Sequence, residues 1–264
     1  MTNSSIDFLN SSLIDRFVQR AKNKSVLELI EVIISRITLL RYRWQYPDVK
    51  FGKGVKIRGA FSITGKGKVV IGDYSRFVGT KQFPNKIVAR DVSAYVSIGN
   101  HCQISGSVIV VEGKGSIKIG NDCYFANYYD ALNSITSKGN SGLITIGNQC
   151  YLNGTKMVAE NSIELEKLCM VSDAIIMDSD AHSIEINRWN PKAEVRTKPI
   201  YISENAWIGS RSAVLKGVTI GKNSVVGLGT IVRQSVPENV VVIGNPQQIV
   251  KHLDTTILPY QFPK

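Results

Sequence analysis

The chain has 264 residues, 43% of them hydrophobic, and a formal net charge of +11. That apolar share excludes a disordered chain and is enough for one domain with a small appendage. The 32 Lys and Arg residues are scattered, with no run of five or six. This argues against a nucleic-acid partner and fits an anionic small ligand, a polyanion or an acidic membrane surface.

The opening residues, MTNSSIDFLNSS, lack a charged stretch followed by an apolar one. No secretory signal is expected, and a cytoplasmic location follows, at the inner membrane surface if residues 1–45 touch lipid. Residues 1–45 read as an N-terminal helical segment. One helix is expected over 6–22. A second, amphipathic helix is expected where Val26, Ile30, Ile33, Ile37 and Leu40 recur at steps of three and four. Glu28, Glu31 and Arg36 interrupt this stretch, so it is not a membrane span. The favoured role is a cap over an open β-edge; the competing role is a membrane-surface helix serving a lipid-linked substrate.

From residue 46 the pattern changes. Aliphatic-Gly pairs recur at Ile71-Gly72, Ile98-Gly99, Ile119-Gly120, Ile146-Gly147, Ile208-Gly209 and Ile220-Gly221. From Ile202 onward aliphatic residues fall at every sixth position: Ile202, Ile208, Val214, Ile220, Val226, Val232. Four places after each starter stands a small or β-branched residue, such as Ala206, Ser212, Val218 or Ser224. No α-helix has this period. A triangular all-β solenoid explains it, with one hexapeptide per side and three short strands per coil. Cys102, Cys123, Cys150 and Cys169 each follow an aliphatic starter by four places. All four are therefore expected in the small interior slot, as buried thiols and not as disulfides or metal ligands. The expected domains are 1–45, the solenoid 46–250 and a tail 251–264. Starters before residue 177 are spaced by more than one ideal coil, so loops are expected at 80–90, 128–142 and 159–163. The repeat pauses for a long polar excursion over 179–199, where a rigid scaffold commonly carries function.

The hexapeptide rule resembles the left-handed parallel β-helix of the hexapeptide-repeat acyltransferases over roughly residues 50–250. The segment AWIGSRSAVLKGVTIGKNSVVGLGTIVRQSVPENVVVIGNP resembles the end of the sugar O-acetyltransferases. The left-handed sense is implied by the resemblance alone.

The excursion opens on MDSDAH, with Asp178, Asp180 and His182 at alternate positions. Extended, these side chains share one side, about 7 Å apart. Acyl transfer from a thioester to a hydroxyl needs a base, an oxyanion donor and a groove that aligns the reactants. Histidine supplies the base, and an aspartate, Asp180 ahead of Asp178, orients it. Interior cysteines argue against a covalent acyl-enzyme.

The resemblance implies further roles. His182 matches the base that precedes the family's long loop. Trp207, Ile208, Gly209 and Ser210 match the segment beside the donor thiol, with Ser210 at the oxyanion or sulfur, and Gly227, Leu228 and Gly229 match the lining of the pantetheine arm. An acceptor-contacting asparagine one coil before the histidine falls on Asn153; Asn127 has the closer local wording but lies a coil too early. Glu160, Arg188 and Trp189 are further acceptor candidates. Relatives read Thr-Lys-Asp and Asn-Pro-Ala-Lys where this chain has Arg233-Gln234-Ser235 and Asn245-Pro246-Gln247-Gln248. Two usual lysines are thus glutamines, and Arg233 and Lys251 are expected to meet the donor phosphates instead. Acetyl-CoA is the implied donor, with no metal, and a homotrimer with donor grooves between subunits is implied.

His101 sits at a variable repeat position and His252 in a polar tail. The zinc-dependent gamma-class carbonic anhydrases, which this fold also resembles, need three histidine ligands, and here the three are dispersed. The reading is O-acetylation of a sugar or surface glycan. The alternatives are N-acylation of an amino sugar or nucleotide sugar, and a non-catalytic assembly scaffold.

Overall fold

The computed structural model describes residues 26–128 and 131–256. The chain divides into two compact units, residues 1–45 and 46–264. In the first, helix α1 spans Val26–Gln45, with Arg43 in its last turn near the negative end of the helix dipole. The helix expected over 6–22 lies outside the described residues.

In the second unit the chain winds through coils of three short strands. Equivalent strands of successive coils pair in parallel and build three faces. The first face has eight strands, from Lys50–Phe51 to Thr219–Ile220. The second has ten, from Lys56–Gly59 to Gln248–His252, and the third eight, from Phe61–Gly65 to Ile231–Val232. The last second-face strand, Gln248–His252, turns back antiparallel to Val240–Ile243. The expected tail therefore begins inside a strand.

Register explains the six-residue period. Ile71, Ile98, Ile119, Ile146, Leu165, Ile202 and Ile220 are paired coil to coil on the first face, and all are buried. Four residues on, Ser75, Cys102, Cys123, Cys150, Cys169, Ala206 and Ser224 fill the corner slot, each essentially inaccessible. The slot excludes bulk, yet it also offers a hydrogen bond. Ser75 Oγ donates to Gly99 O at 2.8 Å, and Cys102, Cys123 and Cys150 Sγ each approach a carbonyl of the next coil at 3.1 Å. The four cysteines are free. The neighbouring Cys123 thiol and burial together push the Cys102 thiol far above its ordinary range, so it carries no thiolate at neutral pH.

The corner between first and second faces holds a column of left-handed residues, Tyr74, His101, Asp122, Gln149, Leu168, Asn205, Asn223 and Asn239, with φ from 57° to 65°. Their amides bridge the coils, as in His101 N to Asp73 O at 2.8 Å. His101 stacks on Tyr74 with ring centroids 5.2 Å apart. Its repeat position is thus structural.

The loop expectations need correction. Residues 80–90 and 128–142 contain third-face strands, Asn85–Ala89 and Asn133–Ser137, and 159–163 is one corner between strands Lys156–Ala159 and Ser162–Leu165. Each starter-to-starter interval is a single coil. Extra residues sit at corners, where they leave strand pairing undisturbed, so the hexapeptide count slips while the register holds.

Replacing Cys123 by Ser is expected to leave stability within about 1 kcal/mol, because Ser offers the same small donor. Cys123→Leu is expected to cost about 1–3 kcal/mol by overpacking. Urea denaturation of both variants checks this; equal midpoints would show that the slot does not limit size.

Candidate active site

The coils sort the candidate residues onto two corners. Trp207 opens a second-face strand, and the corner between second and third faces carries Asn153, Gly209, Ser210, Gly227, Leu228 and Gly229. The corner between third and first faces carries Glu160, Asp178, Asp180, His182 and Arg233, with Arg188 and Trp189 in the excursion. Third-face strands such as Ala213–Leu215 separate the two corners within one chain. The path from Ser210 to Lys216 runs through a left-handed turn at Arg211 and then along this strand.

At the second–third corner, two coils lie in direct contact. Gly209 N donates to Val226 O at 2.8 Å, and Gly229 N donates to Ser210 O at 2.9 Å. A Cβ on Gly209 would stand 2.8 Å from Val226 O, so only glycine fits there. Gly229 has φ +72° and open space where a side chain would be. On these two coils Trp207 and Leu228 are exposed and Gly209 is buried. Asn153 lies on the same corner two coils below, since Asn153 pairs with Ser172, whose neighbour Val171 pairs with Ile208. It is 3% exposed, and its Oδ1 accepts the Tyr128 amide at 2.9 Å.

The third–first corner is built around Asp178. Its two carboxylate oxygens accept the amides of Glu160 and Asn161, both at 2.8 Å. The side chain is fully buried. Desolvation raises its pKa above the ordinary carboxylate value, against the lowering effect of those amides. Both oxygens are thus committed to the preceding coil, and Asp178 makes no hydrogen bond to His182. Ser179 donates from Oγ to Glu160 Oε1 at 3.2 Å and pairs across the excursion root with Thr197. Asp180 N donates to Arg196 O at 3.1 Å, and Lys198 N to Asp178 O at 2.8 Å. The two ends of the excursion are therefore zipped at its base.

His182 projects from a tight turn. Its amide donates to Asp180 O at 2.7 Å across Ala181, whose φ is +60°. This is the rare, strained form of γ-turn, and a non-glycine residue holds it. The turn is supported by Ser179 Oγ, which accepts the Ala181 amide at 3.2 Å. The imidazole is exposed. Among the described residues it has no hydrogen-bond partner. Asp180 instead forms an ion pair with Lys216, which arrives from the next coil. Sequence reasoning missed Lys216. The signal lies in the pairing register, which matches Met177 with Leu215 and so places Lys216 one coil above Asp178.

The remaining candidates are dispersed. Trp189 is 92% exposed, and Arg188 Nε donates to Glu185 O at 3.2 Å. Arg233 follows the third face, whereas Lys251 lies on a second-face strand opposite Val241, so the two expected phosphate contacts are not brought together. Gln247, standing where relatives carry other residues, accepts the Arg233 amide at 2.7 Å through Oε1 and so fixes the turn at Arg233.

A separate cleft of about 450 Å³ opens on the first face, near Lys118, Thr145, Glu164, Glu166 and Glu204. The Tyr201 hydroxyl and the Glu204 amide hold Glu166 below its usual range, and Glu166 in turn pushes Tyr201 up to about 12. Glu204 lies within 3.5 Å of Lys167 and 3.6 Å of Lys222. These partners leave the carboxylates internally satisfied.

The comparisons with known proteins bear on the fold and on the repeat. A family model described as the hexapeptide repeat of succinyl-transferase matches residues 199–234. The chain therefore carries a hexapeptide repeat over these residues. Its relatives include the galactoside O-acetyltransferase of Lactococcus lactis subsp. lactis, 35% identical over 85 residues, which cover 32% of this chain and 41% of that protein. The chain spans about two fifths of the length of the curated relatives it matches. Among solved structures, the polysialic acid O-acetyltransferase OatWY is similar with a TM-score of 0.53 and 23% identity, covering 80% of this chain and 92% of that one. The hexapeptide-repeat coil is therefore the left-handed parallel β-helix.

Asp178→Ala is expected to destabilise the protein by about 1–3 kcal/mol, since it strips two buried amides of their acceptor. It should also speed proteolysis within 183–195, because the excursion root is anchored there. Urea denaturation and limited trypsin digestion check this; unchanged values in both would remove Asp178 as the clamp.

Proposed function

We propose that this chain is an acetyltransferase that moves an acetyl group from acetyl-CoA to a hydroxyl of a sugar or glycan, with His182 as the general base. The observation that carries this reading is His182 itself, the exposed imidazole held on a strained turn at the mouth of the excursion. The named activities of the similar proteins support the reaction class. A histidine at neutral pH accepts a hydroxyl proton as the hydroxyl oxygen attacks the thioester carbonyl. The carbon–sulfur bond breaks, the acetyl group passes to the oxygen, and the proton held by the imidazole passes to the departing thiolate. The Trp207–Ser210 segment and the glycines of the next coil supply a backbone trough for the pantetheine arm. Ser210 is the group nearest the oxyanion or sulfur in this reading. Asn153, Glu160, Arg188 and Trp189 are its acceptor-side candidates, and Arg233 and Lys251 its phosphate-side ones.

One chain holds the trough and the histidine on different corners, so this reading needs a second chain. The outward side of the third face supports one. Val88, Val110, Thr136, Val158, Met177 and Leu215 form one paired, largely apolar column. This face runs between the two corners. Three such faces turned toward a common axis would set the His182 corner of one chain beside the Ser210 corner of the next. A homotrimer is therefore part of the proposal. No helix among the described residues is long and apolar enough to cross a membrane. Peripheral lipid contact through residues 1–45 stays a secondary element of the reading.

With acetyl-CoA and a panel of glycans, His182→Ala is expected to lower thiol release about 10²–10⁴-fold. Full-rate release by this variant would overturn the assignment of the base. Val158→Asp is expected to convert a trimer into monomers in sedimentation, with loss of transfer; a monomeric wild type with full activity would overturn the shared site.

A further inference from the structure

The resting place of Asp180 differs from what the MDSDAH motif implies. An aspartate two residues before a base would be expected to receive its ring N–H. Here the Asp180 carboxylate pairs with Lys216, and the pair is partly buried, with side-chain exposures of 27% for Lys216 and 19% for Asp180. The other acidic groups near the turn are also engaged. Asp178 holds the amides of Glu160 and Asn161, Glu160 accepts the Ser179 hydroxyl, and Glu185 lies 3.5 Å from Arg196. Arg188 and Lys198 add positive charge to the excursion. Lys198 packs its methylenes over Gly217, the residue that follows Lys216.

We propose that Lys216 is a positioning residue for His182: by holding the Asp180 carboxylate from the neighbouring coil, it fixes the Asp180-Ala181-His182 turn and keeps the imidazole free of an internal carboxylate. This rests on the reading of His182 as the base. The physical argument has two parts. First, the γ-turn at Ala181 is strained, and such conformations persist only when their surroundings over-determine them. The amide of Asp180 is held by Arg196 O, that of Ala181 by Ser179 Oγ, and the Asp180 side chain by Lys216. Lys216 is the one of these restraints that comes from another coil. Second, a carboxylate released beside an imidazole pairs with it and favours its charged form. A protonated ring cannot accept a proton from the acceptor hydroxyl. Lys216 thus keeps the Asp180 carboxylate from pairing with the ring.

The test uses the full chain and NMR titration of the three histidine rings, with His101 and His252 as internal references. In Lys216→Met, the His182 ring is expected to titrate at higher pH than in the unaltered chain, and kcat to fall about 10- to 100-fold with KM for acetyl-CoA unchanged. Lys216→Arg restores both. In the double variant Lys216→Met/Asp180→Asn the ring titration returns toward the original position, because no carboxylate remains to be released. The proposal is overturned if Lys216→Met leaves the His182 titration unmoved. It is also overturned if the double variant keeps the full upward shift, which would mean lost cation charge alone. The ring titration needs no catalysis. A shift as described together with a His182→Ala variant of full activity would sink the base assignment and leave the Lys216 contact standing.

Discussion

The structure depends on parallel registration of coils around a core one side chain deep. A first-face strand stacks on its equivalent in the next coil, so each interior position becomes a column running the length of the unit. A column tolerates only what its neighbours above and below tolerate. Buried Ile and Val, each contributing about 1.5–3 kcal/mol on full burial, fill the faces. Small residues fill the corners, and the serine and cysteine members of the column also use a carbonyl of the next coil. Backbone amides are satisfied by the next coil, which frees the outward side chains for other work.

The same registration creates the separation at the heart of the candidate site. Residues on one corner are brought together coil by coil, and residues on different corners are held apart by a strand. Glycines 209, 227 and 229 belong to one corner and His182 to another, and no rearrangement inside a rigid solenoid brings them closer. A single chain therefore holds the two groups of candidate residues on separate corners. The third face, whose outward column from Val88 to Leu215 is largely apolar, joins those corners.

At the His182 corner, the aspartates look inward. Asp178 ties the excursion root to the preceding coil, and Asp180 ties it to the following one through Lys216. The histidine is left outward on a strained turn. Charge here serves to hold backbone, and the strain is localised to one residue, Ala181. That arrangement follows from topology: the excursion interrupts the solenoid between coils, so its root needs anchors to both neighbours.

Much of this was legible in the residues. The six-residue period determined the solenoid, the interior place of the cysteines and the break at MDSDAH, and steps of three and four determined the helix that follows residue 25. Loops at 80–90 and 128–142 were misread because insertions at corners hide strands from a count of six, whereas pairing register ignores them. The directions of Asp178 and Asp180 were invisible because a strand pattern gives the side of a chain and not the partner waiting on the next coil. Lys216 lies far from Asp180 in sequence and one coil away in space. Periodicity is a local property, so the sequence by itself determined the repeat and the candidate residues. Which corner each residue occupies, and which carboxylate is already taken, depend on stacking between distant segments, and only the tertiary structure decided them.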